Sequence, residues 1–184
     1  PNWPRSEAAV QTLPVLMEAL RNADRELRRL AIQTLGKIEN PRSVTQLISA
    51  LLDGDIRMRQ SAAEALETID PNWPQSEAAV QALPTVLKAL KGHDGDVRRR
   101  AAQVLGKLGR MSDPRWVKPL ISALMDNDRS VRQSAVKTLE AIDPDWAQSE
   151  TASRVVSTLV AALKDNKLRH GAGAALLEIS APQS

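Results

Sequence analysis

The amino-acid sequence predicts an all-α fold, a right-handed α-solenoid of about five antiparallel helical hairpins, and three observations carry that prediction. The first is long-range self-similarity: Pro1-Asn2-Trp3-Pro4 through Leu20 reappears seventy residues later as Pro71-Asn72-Trp73-Pro74 through Leu90, and a third copy opens at Pro144-Asp145-Trp146. The second is a skeleton present five times, Asp-x-x-apolar-Arg-x-x-Ala-x-x-x-Leu-x-x-apolar, whose apolar residues recur at helical spacing and trace one face. The third is composition. Ala, Leu, Val and Ile supply nearly all the hydrophobic content, with no Phe, no Tyr and four Trp, and such small aliphatic side chains pack closely spaced helices.

The elements follow in order. Helix one, about 6–20, and helix five, about 76–91, start where Ser6 and Ser76 precede Glu7 and Glu77, a hydroxyl cap with a carboxylate at the positive end of the helix dipole. Ser149-Glu150 repeats the signal for helix nine, about 149–164. Asn40-Pro41 and Asp113-Pro114 open helices three and seven, about 41–53 and 114–126, with a capping side chain before a proline whose missing N–H costs nothing at the first position. Pro14, Pro84 and Pro119 fall inside first helices and are expected to bend them. The second helices, about 24–38, 55–69, 94–109, 128–142 and 166–179, are each capped by the skeleton's Asp: Asp24, Asp55, Asp94, Asp128 and Asp165. The last of them contains Gly171 and Gly173, each costing about 1 kcal/mol relative to Ala, so fraying is expected there. Hairpins then span about 1–39, 40–70, 71–110, 111–143 and 144–184 of a single solenoid, with extra residues in the loop Gly109-Arg110-Met111-Ser112-Asp113. A chain that starts in a Pro/Trp segment used elsewhere as a junction reads as a fragment of a longer one.

Most of these helices are near the 12–15 residues below which an isolated helix is marginal in water, so stability has to come from stacking. No cysteine is present, which removes disulfides and thiolate chemistry and suits a reducing compartment. No apolar run reaches membrane-spanning length, and a cytoplasmic location with no membrane partner is expected. The net charge is +3, from 25 basic residues interleaved with 22 acidic ones. That is a mixed solvated surface, without the one-signed track and aromatic platforms that nucleic acid favours.

The skeletons Asp24-Leu27-Arg28-Ala31-Leu35-Ile38, Asp55-Met58-Arg59-Ala62-Leu66-Ile69, Asp94-Val97-Arg98-Ala101-Leu105-Leu108, Asp128-Val131-Arg132-Ala135-Leu139-Ile142 and Asp165-Leu168-Arg169-Ala172-Leu176-Ile179 resemble HEAT repeats. With proline inside three first helices, and Gln46 and Ser157 in its place in the other two, they are particularly similar to the short HEAT-like repeats of the phycobilisome-lyase type. The resemblance implies that second helices line the concave wall of the superhelix. It puts Arg29, Gln33, Gln60, Glu64, Arg99, Gln103, Gln133, Lys137 and His170 on that wall, and Arg100, from the cluster of extra bases on the same helix, joins them as a candidate partner-binding residue.

The aligned Arg28, Arg59, Arg98, Arg132 and Arg169 have two readings. They form a ladder for phosphate or carboxylate, or each pairs with the capping Asp four residues earlier or with that of a neighbouring hairpin; identical spacing in every unit favours the second. Trp3, Trp73 and Trp146 are expected to plug unit boundaries, and Trp116, standing where the earlier counterpart has Ser43, is a candidate contact residue. His93 and His170 lie in different units without further ligands, and Asp53-Gly54-Asp55 and Asp94-Gly95-Asp96 lack the rest of a calcium loop, so no metal site, cofactor or catalytic residue is assigned. The expected function is non-enzymatic: a scaffold or adaptor that binds a folded protein or a helix through the inner wall. The alternatives are a phosphate-backbone-binding module, a non-catalytic subunit of a chromophore-lyase-type enzyme, and an engineered array without activity of its own.

Overall fold

The computed structural model describes residues 7–22, 24–108, 114–142, 145–146, 150–166 and 168–180. Ten α-helices appear among them: α1 Glu7–Ala19, α2 Arg25–Ile38, α3 Val44–Ala50, α4 Ile56–Ile69, α5 Glu77–Leu90, α6 Gly95–Leu108, α7 Pro114–Leu124, α8 Arg129–Ile142, α9 Glu150–Ala162 and α10 Arg169–Ser180, with no strand among the described residues. Every helix expected from the sequence is found. The chain divides into two compact units, Pro1–Val86 and Leu87–Ser184, and the division falls within α5.

The caps form as the sequence indicates. Asp24 accepts hydrogen bonds from the backbone N–H groups of Glu26 and Leu27 at 2.8 and 3.3 Å, Asp55 from that of Arg57 at 2.8 Å, and Asp94 from those of Asp96 and Val97 at 2.8 and 3.2 Å. Asp128 accepts from the N–H and the hydroxyl of Ser130, both at 2.8 Å, and these bonds hold its carboxyl below its ordinary range. A second layer lies just upstream. Asn22, Asp53 and Asp126 each accept from the N–H of the capping residue two positions on, so the loop is set before the helix starts.

Two boundaries differ from expectation. The Asn40-Pro41 start is a 3-10 turn, Pro41–Ser43, with Asn40 accepting from the Arg42 N–H at 3.0 Å; the α-helical part begins at Val44. Helix α10 starts at Arg169, later than expected, with the Asp165 carbonyl receiving the N–H groups of Leu168 and Arg169; Lys167, two residues after Asp165, lies outside the described residues. Helices α1, α5 and α7 run through Pro14, Pro84 and Pro119.

In the first unit α1 packs on α2, α3 on α4, and α2 on α4. In the second α6 packs on α8, α7 on α8, and α9 and α8 on α10. Second helix stacks on second helix in both units, which is the solenoid plan. The skeleton positions form the core: Ala31, Leu35, Ala62, Leu66, Ala101, Leu105, Ala135, Leu139, Ala172 and their apolar neighbours are buried. Glycine sets the closest approaches. A Cβ at Gly36 would lie 2.9 Å from the Ala65 Cβ, and one at Gly106 would lie 3.2 Å from the Thr138 hydroxyl, which itself donates to the buried Ala102 carbonyl at 2.9 Å. Gly171 is explained the same way, since a Cβ there would lie 2.4 Å from the Met125 carbonyl oxygen. The helix is continuous through both of its glycines, and the expected fraying is not what Gly171 is for.

Trp73 is buried, with its indole N–H donating to Glu67 at 3.2 Å, and Trp146 is buried as well. Trp3, Ser6, Gly109–Asp113, Pro144 and Ser149 lie outside the described residues, as does the side chain of Trp116.

Candidate functional site: the exposed face of the second helices

The arginine skeleton is structural. The same guanidinium nitrogen, Nη1, closes the hairpin's own loop in four copies: Arg28 donates to the Asn22 carbonyl at 2.8 Å, Arg59 to those of Asp53 and Gly54 at 2.9 Å, Arg98 to those of Gly92 and His93 at 3.0 and 2.8 Å, and Arg132 to those of Asp126 and Asn127 at 2.9 and 3.2 Å. Arg169 makes the equivalent bond through Nε, to the Leu163 carbonyl at 3.1 Å. The rest of the fork reaches the next hairpin. Arg98 grips Asp126 bidentately at 2.7 and 2.9 Å, and Arg28 lies 3.7 Å from Asp53. The expected partner, a capping Asp, is therefore corrected: for Arg28 and Arg98 the acceptor is the loop Asp two residues before the neighbour's cap, because that carboxylate lies on the loop edge beside the guanidinium, and Arg132 lies 3.9 Å from Glu178 of α10. The Asp126 carboxylate raises the Arg98 pKa further above its ordinary value. A ligand ladder would have to displace these bonds.

The candidate wall residues divide into three groups. Gln33, Gln60, Glu64, Gln103, Gln133, Lys137 and His170 are exposed. Arg29 and Arg99 are half-buried and engaged on their own turns, Arg29 in a bidentate pair with Glu26 and Arg99 with Asp96 at 3.0 Å. The Arg29 fork holds the Glu26 carboxyl below its ordinary range. Arg100 is a correction. It is 7% exposed, one position past Arg99 and turned into the protein, so it does not belong to an open wall.

The structure brings Gln33 and Glu64 together. They line a groove of about 610 Å³ between α2 and α4, with Lys37, Glu39, Ser61 and Thr68 around them and Gly36 and Ala65 below. The floor is shallow in side chains because Gly36 has none and Ala65 ends at a methyl group touching it. Glu39 closes one end in the left-handed conformation, φ 53°, its N–H returned to the Gly36 carbonyl at 3.3 Å. Neither Lys37 nor Glu64 forms an ion pair with another described residue, so a cation and an anion are both presented to solvent over one depression. Ser61, Thr68 and the conformation of Glu39 were missed by sequence reasoning. The signal that could have found the groove is Leu35-Gly36-Lys37-Ile38, which recurs as Leu105-Gly106-Lys107-Leu108. A glycine in the interior of a helix that costs stability usually has a packing reason. In α6 and α8 the equivalent floor is raised, since Thr138 stands where Ala65 does and lies against Gly106.

The comparisons with known proteins agree with this architecture. The profile of the HEAT repeats family matches residues 13–83 and 83–177, nearly the whole array. The chain belongs to the HEAT-repeat family. Within it, the chain is 32% identical over 173 residues to uncharacterized phycocyanin operon protein Z of Pseudanabaena tenuis, covering 82% of each protein. It is 36% identical over 94 residues to phycocyanobilin lyase subunit alpha of Picosynechococcus sp., a match to 49% of this chain and only 34% of that subunit. Among solved structures, a TOG domain of crescerin aligns with a TM-score of 0.61 at 17% identity over 97% of this chain and 78% of that one, a likeness of fold. These HEAT repeats are of the kind found in the phycobilin-lyase relatives. No helix among the described residues is long and apolar enough to cross a membrane.

Proposed function

We propose that this HEAT array is a non-enzymatic protein-binding module that uses the exposed face of its second helices, with the α2/α4 groove as the principal contact. The observation that carries the reading is the groove itself, where Gln33, Lys37, Ser61, Glu64 and Thr68 stand exposed or half-exposed on rigid, mutually packed helices. Preorganisation is the physical advantage: little conformational entropy is lost when a partner docks on side chains whose backbones are already fixed. Gln60 extends the contact within the first unit, and Gln103, Gln133, Lys137 and His170, exposed on second helices of the second unit, offer a separate contact there. Arg29 and Arg99 contribute their stems and one edge of each guanidinium while remaining paired.

The relatives supply a concrete partner to try, phycocyanin. Titrating phycocyanin subunits, with and without bound bilin, into the chain by calorimetry should give a saturable heat. The pair Gln33→Ala, Glu64→Lys should weaken it about tenfold, as expected for losing one or two directional contacts. Saturable binding unchanged by that pair would rule out the groove. A second reading is favoured by the name of one relative: the array serves as a non-catalytic subunit of a chromophore lyase. Under it, the chain alone would not attach bilin covalently but would raise attachment when added to a cognate catalytic subunit.

A further inference from the structure

We infer that the α6/α8 face of the second unit is a docking surface for an acidic segment of a protein, with Lys107 and Lys137 pairing with its carboxylates and Gln103 and Gln133 bonding its backbone. The inference rests on the reading of the exposed second-helix face as a binding face, and it assigns the charge of what binds there.

Repeat equivalence places the four side chains. Gly106 meets Thr138 across α6 and α8 as Gly36 meets Ala65 across α2 and α4. Lys37 follows Gly36 and Glu64 precedes Ala65, and both line the first unit's groove together with Gln33. By the same steps Lys107 follows Gly106, Lys137 precedes Thr138, and Gln103 stands where Gln33 does. Gln133 lies one turn before Lys137 on the same stripe of α8. All four side chains are exposed. Helix α8 packs on both α6 and α10, so its stacking sides are filled from within the unit and the exposed stripe is not a place for a further hairpin.

One charge separates the two faces. Where the first unit sets Lys37 against Glu64, the second sets Lys107 beside Lys137, and neither of these lysines forms an ion pair among the described residues. The carboxylates nearby leave them uncompensated: Asp96 is bound to Arg99 at 3.0 Å, and Glu140 is half-buried one turn past Lys137. The floor differs as well. The Thr138 side chain fills the depression that Gly36 and Ala65 leave open, so no cavity receives an inserted side chain and a partner has to be held by the charges and amides of the rim. An acidic segment is attracted to this face and repelled by Glu64 in the other, which is how electrostatic complementarity selects both partner and place. Protein carboxylates fit better than a phosphate backbone. Two lysines separated by neutral amides are not a continuous positive track, and the described indoles, Trp73 and Trp146, are buried and offer no platform for stacked bases.

Calorimetric titration of the 184-residue chain with a synthetic helical peptide bearing Glu along one face, and with its Gln-for-Glu counterpart, tests the assignment. The Glu peptide should bind saturably and the Gln peptide about tenfold more weakly, with the difference shrinking as salt rises because exposed charges are screened. Lys137→Glu, which restores the charge pattern of the first unit, should weaken the Glu peptide about tenfold or more. The pair Gln33→Ala, Glu64→Lys should not weaken it. The double variant Lys107→Glu, Lys137→Glu should prefer a peptide with Lys in place of Glu. No binding of the Glu peptide, equal binding of the Glu and Gln peptides, Glu-peptide binding that survives the double variant, or duplex DNA bound more tightly than the Glu peptide overturns the inference. If the glutamate variants melt early, Lys107→Gln, Lys137→Gln removes the same charges and reads the same face. Phycocyanin binding that fails while the peptide still depends on Lys137 counts against the proposed partner alone; phycocyanin binding through Gln33 and Glu64 with no bound peptide counts against this inference alone.

Discussion

At the scale of single residues, the five skeleton arginines decide how much of the charge pattern is free for function. Arg98 spends all three nitrogens on two loop carbonyls and one carboxylate, and its side chain is 16% exposed. Arg98→Ala should cost roughly 2–3 kcal/mol in chemical denaturation, the range for losing charge-assisted bonds, and Arg98→Lys should recover only part of that because an ammonium cannot reproduce the fork. The adjacent pair Arg99 and Arg100 separates surface from interior. Arg99→Glu, at a side chain already paired across the surface, should change stability by no more than about 0.5 kcal/mol. Arg100→Glu should cost on the order of 3 kcal/mol, because a carboxylate would be buried where a guanidinium is accommodated. Equal melting curves for the two variants would contradict the burial of Arg100. The sequence lists these two as neighbours of the same type; only the rotation of α6 tells them apart.

At the scale of the element, capping and close approach set each helix. Asp128 is held in its charged form by Ser130, so its folded pKa is depressed. A depressed carboxylate adds stability that is present above the unfolded pKa and disappears as pH falls through the folded value. Ser130→Ala should therefore move acid unfolding to higher pH and bring the Asp128 titration, followed by carbon NMR, back toward the ordinary carboxylate range. The two glycines of α10 predict opposite signs. Gly171→Ala meets the Met125 carbonyl and should destabilise by about 1–3 kcal/mol, whereas Gly173→Ala finds only the Leu163 methyl at 3.8 Å and should stabilise by about 1 kcal/mol. From composition alone both glycines read as weak points of one fraying helix, because intrinsic propensity contains no information about which atom lies across the interface.

At the scale of the whole molecule, each unit is held by neighbour-to-neighbour contacts, and protection should follow the number of buried side chains in each helix. Helix α6 buries Arg100, Ala101, Ala102, Val104, Leu105 and Leu108, while α10 buries only Ala172 and Ala175. Amide hydrogen exchange should consequently be slower through α6 and α8 than through α10 at pH 7. Equal protection throughout would contradict a protection set by the buried side chains of each helix.

All ten helices, the caps at Asp24, Asp55, Asp94 and Asp128, and the family were determined by the sequence, because each depends on local spacing repeated often enough to exclude accident. The loop edge was legible in part: the arginines pair as structural residues do, but their partner was misassigned, since a guanidinium chooses by distance across hairpins and not by position along the chain. The site was least legible. That Gln33 and Glu64 share one groove, that Gly36 and Ala65 form its floor, that Glu39 turns back at its end and that Arg100 lies inside are consequences of helix rotation and of how nearly two backbones touch. Those quantities depend on atoms thirty residues apart in the chain, and only the tertiary structure decides them.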